Sequence, residues 1–155
     1  RAFHPPPPTY HIISATNALE YRYHELCPPS PPPGLTVSAQ LIATERGRSV
    51  ALVHVLNAAA DVTILWSHGN AMDCGECVFF LQHLSAALAV SVVTYDYAGY
   101  GESGGKPSEA ESYLDIKAVH AHLRDACGVH DENLVVWGQS IGSGPSMWLS
   151  ARSPR

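Results

Sequence analysis

Asn133-Leu134-Val135-Val136-Trp137-Gly138-Gln139-Ser140-Ile141-Gly142 is the stretch on which the reading of this chain turns. A short apolar run, Leu134 to Trp137, stops at Gly138-Gln139-Ser140-Ile141-Gly142, and a helix-compatible segment begins at once. Gly-x-Ser-x-Gly between a strand and a helix is the pattern of a nucleophile elbow, a sharp, strained turn that exposes the serine hydroxyl over a helix N-terminus. The flanking glycines, Gly138 and Gly142, are expected where strand and helix pass too close for a Cβ. Alone the pattern is weak, since at ordinary glycine and serine frequencies it arises by chance in ~5% of chains this long. Its neighbours decide it.

Two other apolar runs end in loops that suit the same purpose. Val62 to Trp66 reads as a strand buried on both faces and ends at Ser67-His68-Gly69-Asn70. Asp73 then caps a helix with Glu76 at its third position, and Cys77, Phe80, Leu81, Leu84 and Leu88 follow at helical spacing. Val90 to Tyr95 is the next buried strand, closing in the glycine-rich loop Asp96 to Gly105. Pro107 and Ser108, with Glu111 after them, start a helix of about five turns that Gly128 stops. Ala110, Leu114, Ala118 and Ala121 share one of its sides. Leu134 to Trp137 is the third buried strand, and the helix after Ser140 is expected to run to the chain end. Upstream, Val37 to Thr44 and Ser49 to Leu56 form a hairpin across Glu45-Arg46-Gly47-Arg48. Strands alternating with helices imply an α/β fold, a parallel sheet covered on both faces with an antiparallel hairpin leading in.

At 155 residues the chain fits one domain, and 46% hydrophobic against 15% charged residues indicates a globular core. A net charge of −5 with scattered Lys and Arg excludes a nucleic-acid stripe, and no polybasic run marks anionic lipid. No run of about eighteen apolar residues spans a membrane. The first residue is Arg1 and no signal-peptide pattern follows, so a piece of a longer protein is expected. Four cysteines make no dense disulfide framework, which favours a reducing, cytoplasmic setting. Residues 1–34 hold nine of the twelve prolines and read as a leader in polyproline II conformation, without helix or central strand, packed on the surface of a domain at 35–155.

In open α/β sheets ligands gather outside the carboxyl ends of the strands, and three loops reach that edge here: Ser67 to Asn70, Asp96 to Gly105, and the elbow. Acyl transfer needs a nucleophile, a base and donors for a tetrahedral oxyanion. Ser140 is the candidate nucleophile. The backbone N–H of Ile141 is one candidate oxyanion donor, and that of Asn70, or of Ala71 beside it, is the other. His68, directly before that loop, is expected to brace it together with Gly69 rather than act as base. Asp96 is expected to accept loop N–H groups, and Tyr97 and Tyr100 to pack. His120 and His122, two apart on a helix, cannot face a common metal and read as surface residues. No metal or cofactor is implied. Cys74-Gly75-Glu76-Cys77 at a helix start is a remote alternative, a thioredoxin-like redox motif, but it leaves the Ser140 elbow unexplained.

Ser67 to Asp73, Tyr95 to Gly101, Gly105 to Glu109 and Trp137 to Gly142 together resemble the α/β-hydrolase domain-containing 17 family, as does the opening Phe3 to Tyr10. The resemblance implies the α/β-hydrolase fold and a serine hydrolase that removes palmitate from cysteines of membrane-associated proteins. It implies that Ser140 attacks a thioester carbonyl, the cysteine thiolate leaves, and water releases the fatty acid. S-acylated proteins are then the partners, met in the cytoplasm or peripherally at the cytosolic face of membranes. The family's N-terminal palmitoylated cysteine cluster has no counterpart here, where Cys27 is the first cysteine. The fold places the triad in the order Ser, Asp, His, and no Asp or His follows Ser140 in this sequence. An N-terminal portion of the domain, inactive by itself and with an open sheet edge at Leu134 to Trp137, is therefore expected. Other serine esterases or peptidases of the same fold, and a catalytically inactive truncated fragment, stand as alternatives.

Overall fold

A computed structural model describes residues 2–152 of the chain. Strands β1 (Tyr10–Ile13) and β2 (Ala18–Tyr21) form a small antiparallel pair. Strands β3 (Leu35–Ala43) and β4 (Ser49–Asn57) form the expected long hairpin in full register, Leu35 opposite Asn57 and Ala43 opposite Ser49. Then come β5 (Thr63–Ser67), helix α1 (Cys74–Leu88), β6 (Ser91–Tyr95), helix α2 (Glu109–Asp125), β7 (Leu134–Gly138) and helix α3 (Ser143–Ser150). The main sheet has the order β3-β4-β6-β5-β7. Strand β5 is parallel to both β6 and β7, while β4 meets β6 antiparallel.

Alternation along the central strands sorts the core into two layers. Leu65, Val93, Tyr95 and Leu52 face α2 and α3, meeting Ile116, Val119, Leu123 and Leu149. Ile64, Trp66, Val92 and Val55 face α1, meeting Cys77 and Leu81. All five residues of β5 and of β6 are buried, as runs covered on both faces require. Strand β7 is the open sheet edge expected at Leu134 to Trp137 and is therefore not covered on both faces like β5 and β6; Val135 and Trp137 are 47% and 43% exposed.

The helices begin where capping chemistry puts them. Asp73 accepts from the Glu76 N–H and Glu76 reaches back to the Asp73 N–H, a complete capping box. Ser108 accepts from the Glu111 N–H at 3.2 Å. Their buried faces are only partly the expected ones. In α1, Cys77 and Leu81 are buried as expected, while Phe80 and Leu88 are about half exposed and Cys74, Val78, Gln82 and Ser85 are buried in addition. In α2 the alanine side is not the core face; Ser112, Asp115, Ile116, Val119 and Leu123 are. Asp115 goes inside because Arg48 and the Ala98 N–H both meet its carboxylate there. The helix expected to start at Ser140 and run to the end begins instead as a 3-10 turn, Ser140–Gly142, and α3 ends at Ser150. The last residues of that expectation, 153–155, lie outside the described ones.

The leader is not confined to the surface. It contributes β1 and β2, and Thr9 and Tyr10 are buried, Tyr10 completely. Gly75 at the start of α1 permits this approach, since a Cβ there would sit 2.5 Å from Thr9 Oγ1 and 2.9 Å from the Tyr10 ring.

Candidate active site

Strands β5, β6 and β7 run parallel and deliver their C-terminal ends to one edge, so Ser67, Tyr95 and Gly138 hand over to the three loops singled out in the sequence. Ser140 is exposed, and its φ is 51°, a left-handed conformation that costs a non-glycine residue about 1–3 kcal/mol. Close packing imposes it. A Cβ on Gly138 would lie 2.6 Å from the Ser143 Cα, and one on Gly142 would overlap the Ser67 carbonyl and lie 2.7 Å from the His68 carbonyl oxygen. The Gln139 N–H donates to the Ser67 carbonyl at 2.9 Å and the Gly142 N–H to the Gln139 carbonyl at 2.9 Å, tying the elbow to the end of β5. Below it, the Ser146 hydroxyl donates to Ser67 Oγ at 3.1 Å, pinning α3 to the same strand. The Ile141 backbone N–H is bonded to no acceptor among the described residues.

The loop after β5 holds a second left-handed non-glycine residue, Ala71, with φ 57°. The Ala71 N–H is occupied, donating to Asn70 Oδ1 at 3.1 Å, whereas the Asn70 N–H has no acceptor among the described residues. Of the two candidates named from sequence, Asn70 is thus the one with a free backbone donor. His68 is fully buried. Its Nδ1 lies 2.8 Å from the Gly69 carbonyl oxygen, and its Nε2 lies 3.3 Å from Asp96 Oδ1 without forming a hydrogen bond. Its ring packs on Tyr97, centroids 4.4 Å apart, and the Tyr97 hydroxyl donates to the His68 carbonyl at 2.6 Å.

Asp96, fully buried, accepts the Cys74 N–H at 2.9 Å on one oxygen and the Tyr10 hydroxyl on the other. It therefore joins β6 to the start of α1 and to the leader. Asp73, the N-cap of α1, is also tied to the leader, accepting the Thr9 N–H at 2.7 Å and the Thr9 hydroxyl at 2.6 Å. Burial, reinforced by the Asp96 charge, raises the Asp73 carboxyl above the usual range. Thr9, Tyr10 and His4 escaped the sequence reading because their partners lie 64 to 96 positions away and no local pattern pairs them.

Other residues singled out in the sequence settle differently. Burial pushes the thiols of Cys74 and Cys77 well up, so neither is held as the thiolate that redox chemistry needs. His120 and His122 are half-buried rather than on the surface: His120 Nε2 lies 2.6 Å from Asp131 and His122 Nε2 lies 2.9 Å from the Gln40 amide. No group of three metal-ligating side chains converges among the described residues. No helix among them is long and apolar enough to cross a membrane.

An apolar pocket of about 200 Å³ opens beside the elbow, lined by Trp66, Met72, Glu76, Cys77, Phe80 and Gln139. A larger one of about 410 Å³ lies between β3 and α2, away from the three loops. The smaller pocket touches the residue before Ser140, and another, of about 300 Å³, is lined by Gly138, Ser143 and Met147 on the α3 side of the elbow.

No family model matches the chain. Alpha/beta hydrolase domain-containing protein 17B of Xenopus tropicalis is 36% identical over 97% of this chain and 54% of its own length. The human 17B protein is 35% identical over the same shares. Protein 17C of Xenopus tropicalis is 42% identical over 70% of this chain and 36% of its own. The chain thus spans about half the length of the 17B relatives it matches. Among solved structures, Pyrococcus furiosus esterase Pf2001 superposes with a TM-score of 0.67 at 19% identity, covering 97% of this chain and 53% of that one. An alpha-beta hydrolase from Vibrio vulnificus gives 0.60 at 21% identity, over 68% and 36%. The fold is the α/β-hydrolase fold with an incomplete sheet, and the chain belongs to the alpha/beta hydrolase domain-containing 17 family.

Proposed function

We propose that this chain carries the nucleophile and oxyanion-binding half of a serine hydrolase that cleaves acyl thioesters, with palmitoylated proteins as substrates at the cytosolic face of membranes. The observation that carries the reading is Ser140: exposed, left-handed at φ 51°, and followed at once by an unbonded N–H at the start of a helical turn. In the proposed reaction Ser140 gives its proton to a general base supplied from outside the described residues as its Oγ attacks the thioester carbonyl carbon, and the carbonyl oxygen becomes an oxyanion held by the N–H groups of Ile141 and Asn70. The carbon–sulfur bond then breaks, the cysteine leaves as thiolate, and water cleaves the acyl-serine ester to release the fatty acid and regenerate Ser140. One such oxyanion donor contributes about 2.7–4 kcal/mol of transition-state stabilisation.

Two features favour a long apolar acyl group. The pocket beside Gln139 is walled by Trp66, Met72 and Phe80. Its apolar surface continues outward over Phe80, 50% exposed, whose ring centroid lies 5.3 Å from that of Trp66. No Asp or His follows Ser140 in the sequence, and buried His68, held at Gly69 and beside Asp96, suits bracing better than proton transfer.

The chain spans about half the length of its 17B relatives, and activity is tested in the full-length protein. A fluorophosphonate probe is expected to label it at Ser140, with Ser140→Ala abolishing both labelling and release of palmitate from an S-palmitoyl peptide. Labelling that persists in Ser140→Ala would refute the assignment.

A further inference from the structure

The first residues of the chain, which the proposed chemistry does not use, lie across the loop that carries Asn70. The His4 backbone N–H donates to Asn70 Oδ1 and to the Tyr100 hydroxyl oxygen, each at 2.9 Å. The Tyr100 O–H donates to the same Asn70 Oδ1 at 2.7 Å, as the Ala71 N–H does at 3.1 Å. At the other end of the amide, Asn70 Nδ2 donates to the Ala2 carbonyl at 2.8 Å. Chemistry fixes the amide's orientation, because exchanging its O and N would set donor against donor at one end and carbonyl against carbonyl at the other. Between the two attachments, Phe3 packs half-buried against the core layer that contains Tyr97 and Tyr100.

The Asn70 side chain is thereby consumed by the protein itself, and its backbone N–H is what remains for a ligand. The adjoining Ala71 holds a left-handed φ of 57°. A side-chain-bearing residue keeps that conformation only when its surroundings over-determine it. Tyr100, fully buried, supplies one anchor from the glycine-rich loop after β6. Residues 2–4 supply the second from the solvent side, so the Asn70 amide is gripped from both ends. A segment that merely covered Tyr100 would need no backbone bonds to both ends of one amide.

We propose that Ala2 to His4 form a positioning strap for the site. By holding the Asn70 amide, the Ala2 carbonyl and the His4 N–H set the Asn70 backbone N–H where an oxyanion is received. This rests on the serine-hydrolase reading of Ser140. Neither strap group touches substrate.

The test compares two substitutions in the complete protein. His4→Pro deletes the N–H from an exposed residue already followed by four prolines, and His4→Ala keeps it. With a short-chain p-nitrophenyl ester, His4→Pro is expected to lower kcat tenfold or more, toward the ~10²-fold that misplaced groups cost. KM should stay within about twofold, the signature of an interaction made in the transition state. His4→Ala should match the wild type. Hydrogen exchange at residues 70–72 should accelerate in His4→Pro alone, with the remaining amides unchanged. A wild-type kcat in His4→Pro overturns the strap, as do unchanged exchange at 70–72, a rise in exchange across the whole fold, or an equal loss in His4→Ala. Ser140→Ala separates the two proposals. If it abolishes turnover while His4→Pro turns over normally, only the strap falls; if it retains turnover, the Ser140 reading falls and takes the strap with it.

Discussion

At the scale of single residues, what the fold does to a side chain's proton is set by what surrounds it, and His54 shows this most plainly. It sits on β4, and its Nε2 is buried without a hydrogen-bond partner among the described residues. Burial, with the nearby His122 adding to it, lowers its pKa to about 4. Unfolded, the ring titrates near 6.5. The folded value is depressed, so the unfolded chain takes up the proton first as pH falls. The neutral ring's contribution is therefore fully present above about pH 6.5 and is lost progressively toward pH 4. Asp115 works in the opposite sense: burial raises it to about 6, so its contribution is present below the unfolded carboxylate value and is lost as pH rises through 6. The two partly offset, and only a difference between variants isolates either. His54→Leu should lose about 2 kcal/mol less stability than the wild type between pH 7.5 and pH 5 in urea titrations. Parallel pH profiles for the two proteins would rule out a neutral buried His54.

Elements were legible where local chemistry specifies them and illegible where distant partners do. Asp73 and Ser108 announced their helices because a cap is written within four residues. Strands β5 and β6 announced themselves as apolar runs covered on both faces. The elbow was legible because two glycines flank a serine, yet its 3-10 turn was not, since that comes from Gly142 packing against β5. The core face of α2 misled because a charged residue, Asp115, lies on it. That choice is made by Arg48, whose guanidinium meets Asp115 and Glu111 and also donates to the Gly104 carbonyl at 3.3 Å. One arginine at the end of the hairpin turn before β4 thus docks α2 and closes the glycine-rich loop. Arg48→Met should cost about 3–5 kcal/mol in chemical denaturation, because it leaves a buried carboxylate without its cation. Adding Asp115→Leu should recover much of that loss, since a buried ion pair is often replaceable by apolar residues. If the double variant were as unstable as the single one, the carboxylate would not be the source of the cost.

For the molecule as a whole, the parallel strands place every loop of the candidate site at one edge of the sheet, and a segment from the start of the chain bonds to two of those loops. Sequence separates residues 1–34 from the rest by their prolines, which speak only of backbone conformation. Nothing in such a run reveals that Tyr10 will be buried, because its place is prepared elsewhere, by Asp96, by Cys74 and Val78 of α1, and by Ala51 and Val53 of β4. A leader that merely lay on the surface would tolerate replacement of any one residue within about 0.5 kcal/mol. A leader that supplies a core tyrosine would not. Tyr10→Ala should therefore cost about 3–5 kcal/mol, as large-to-small changes of buried aromatics do. Tyr10→Phe should cost about 1–3 kcal/mol, by leaving one oxygen of the buried Asp96 without its donor. Because Tyr10 bonds to the strand end that also anchors α1, both variants should unfold in one transition, with the signals of the leader and of Trp66 changing together. Two separate transitions, or a Tyr10→Ala protein as stable as the wild type, would mean that the leader is an appendage and that the sheet and its loops hold their geometry without it.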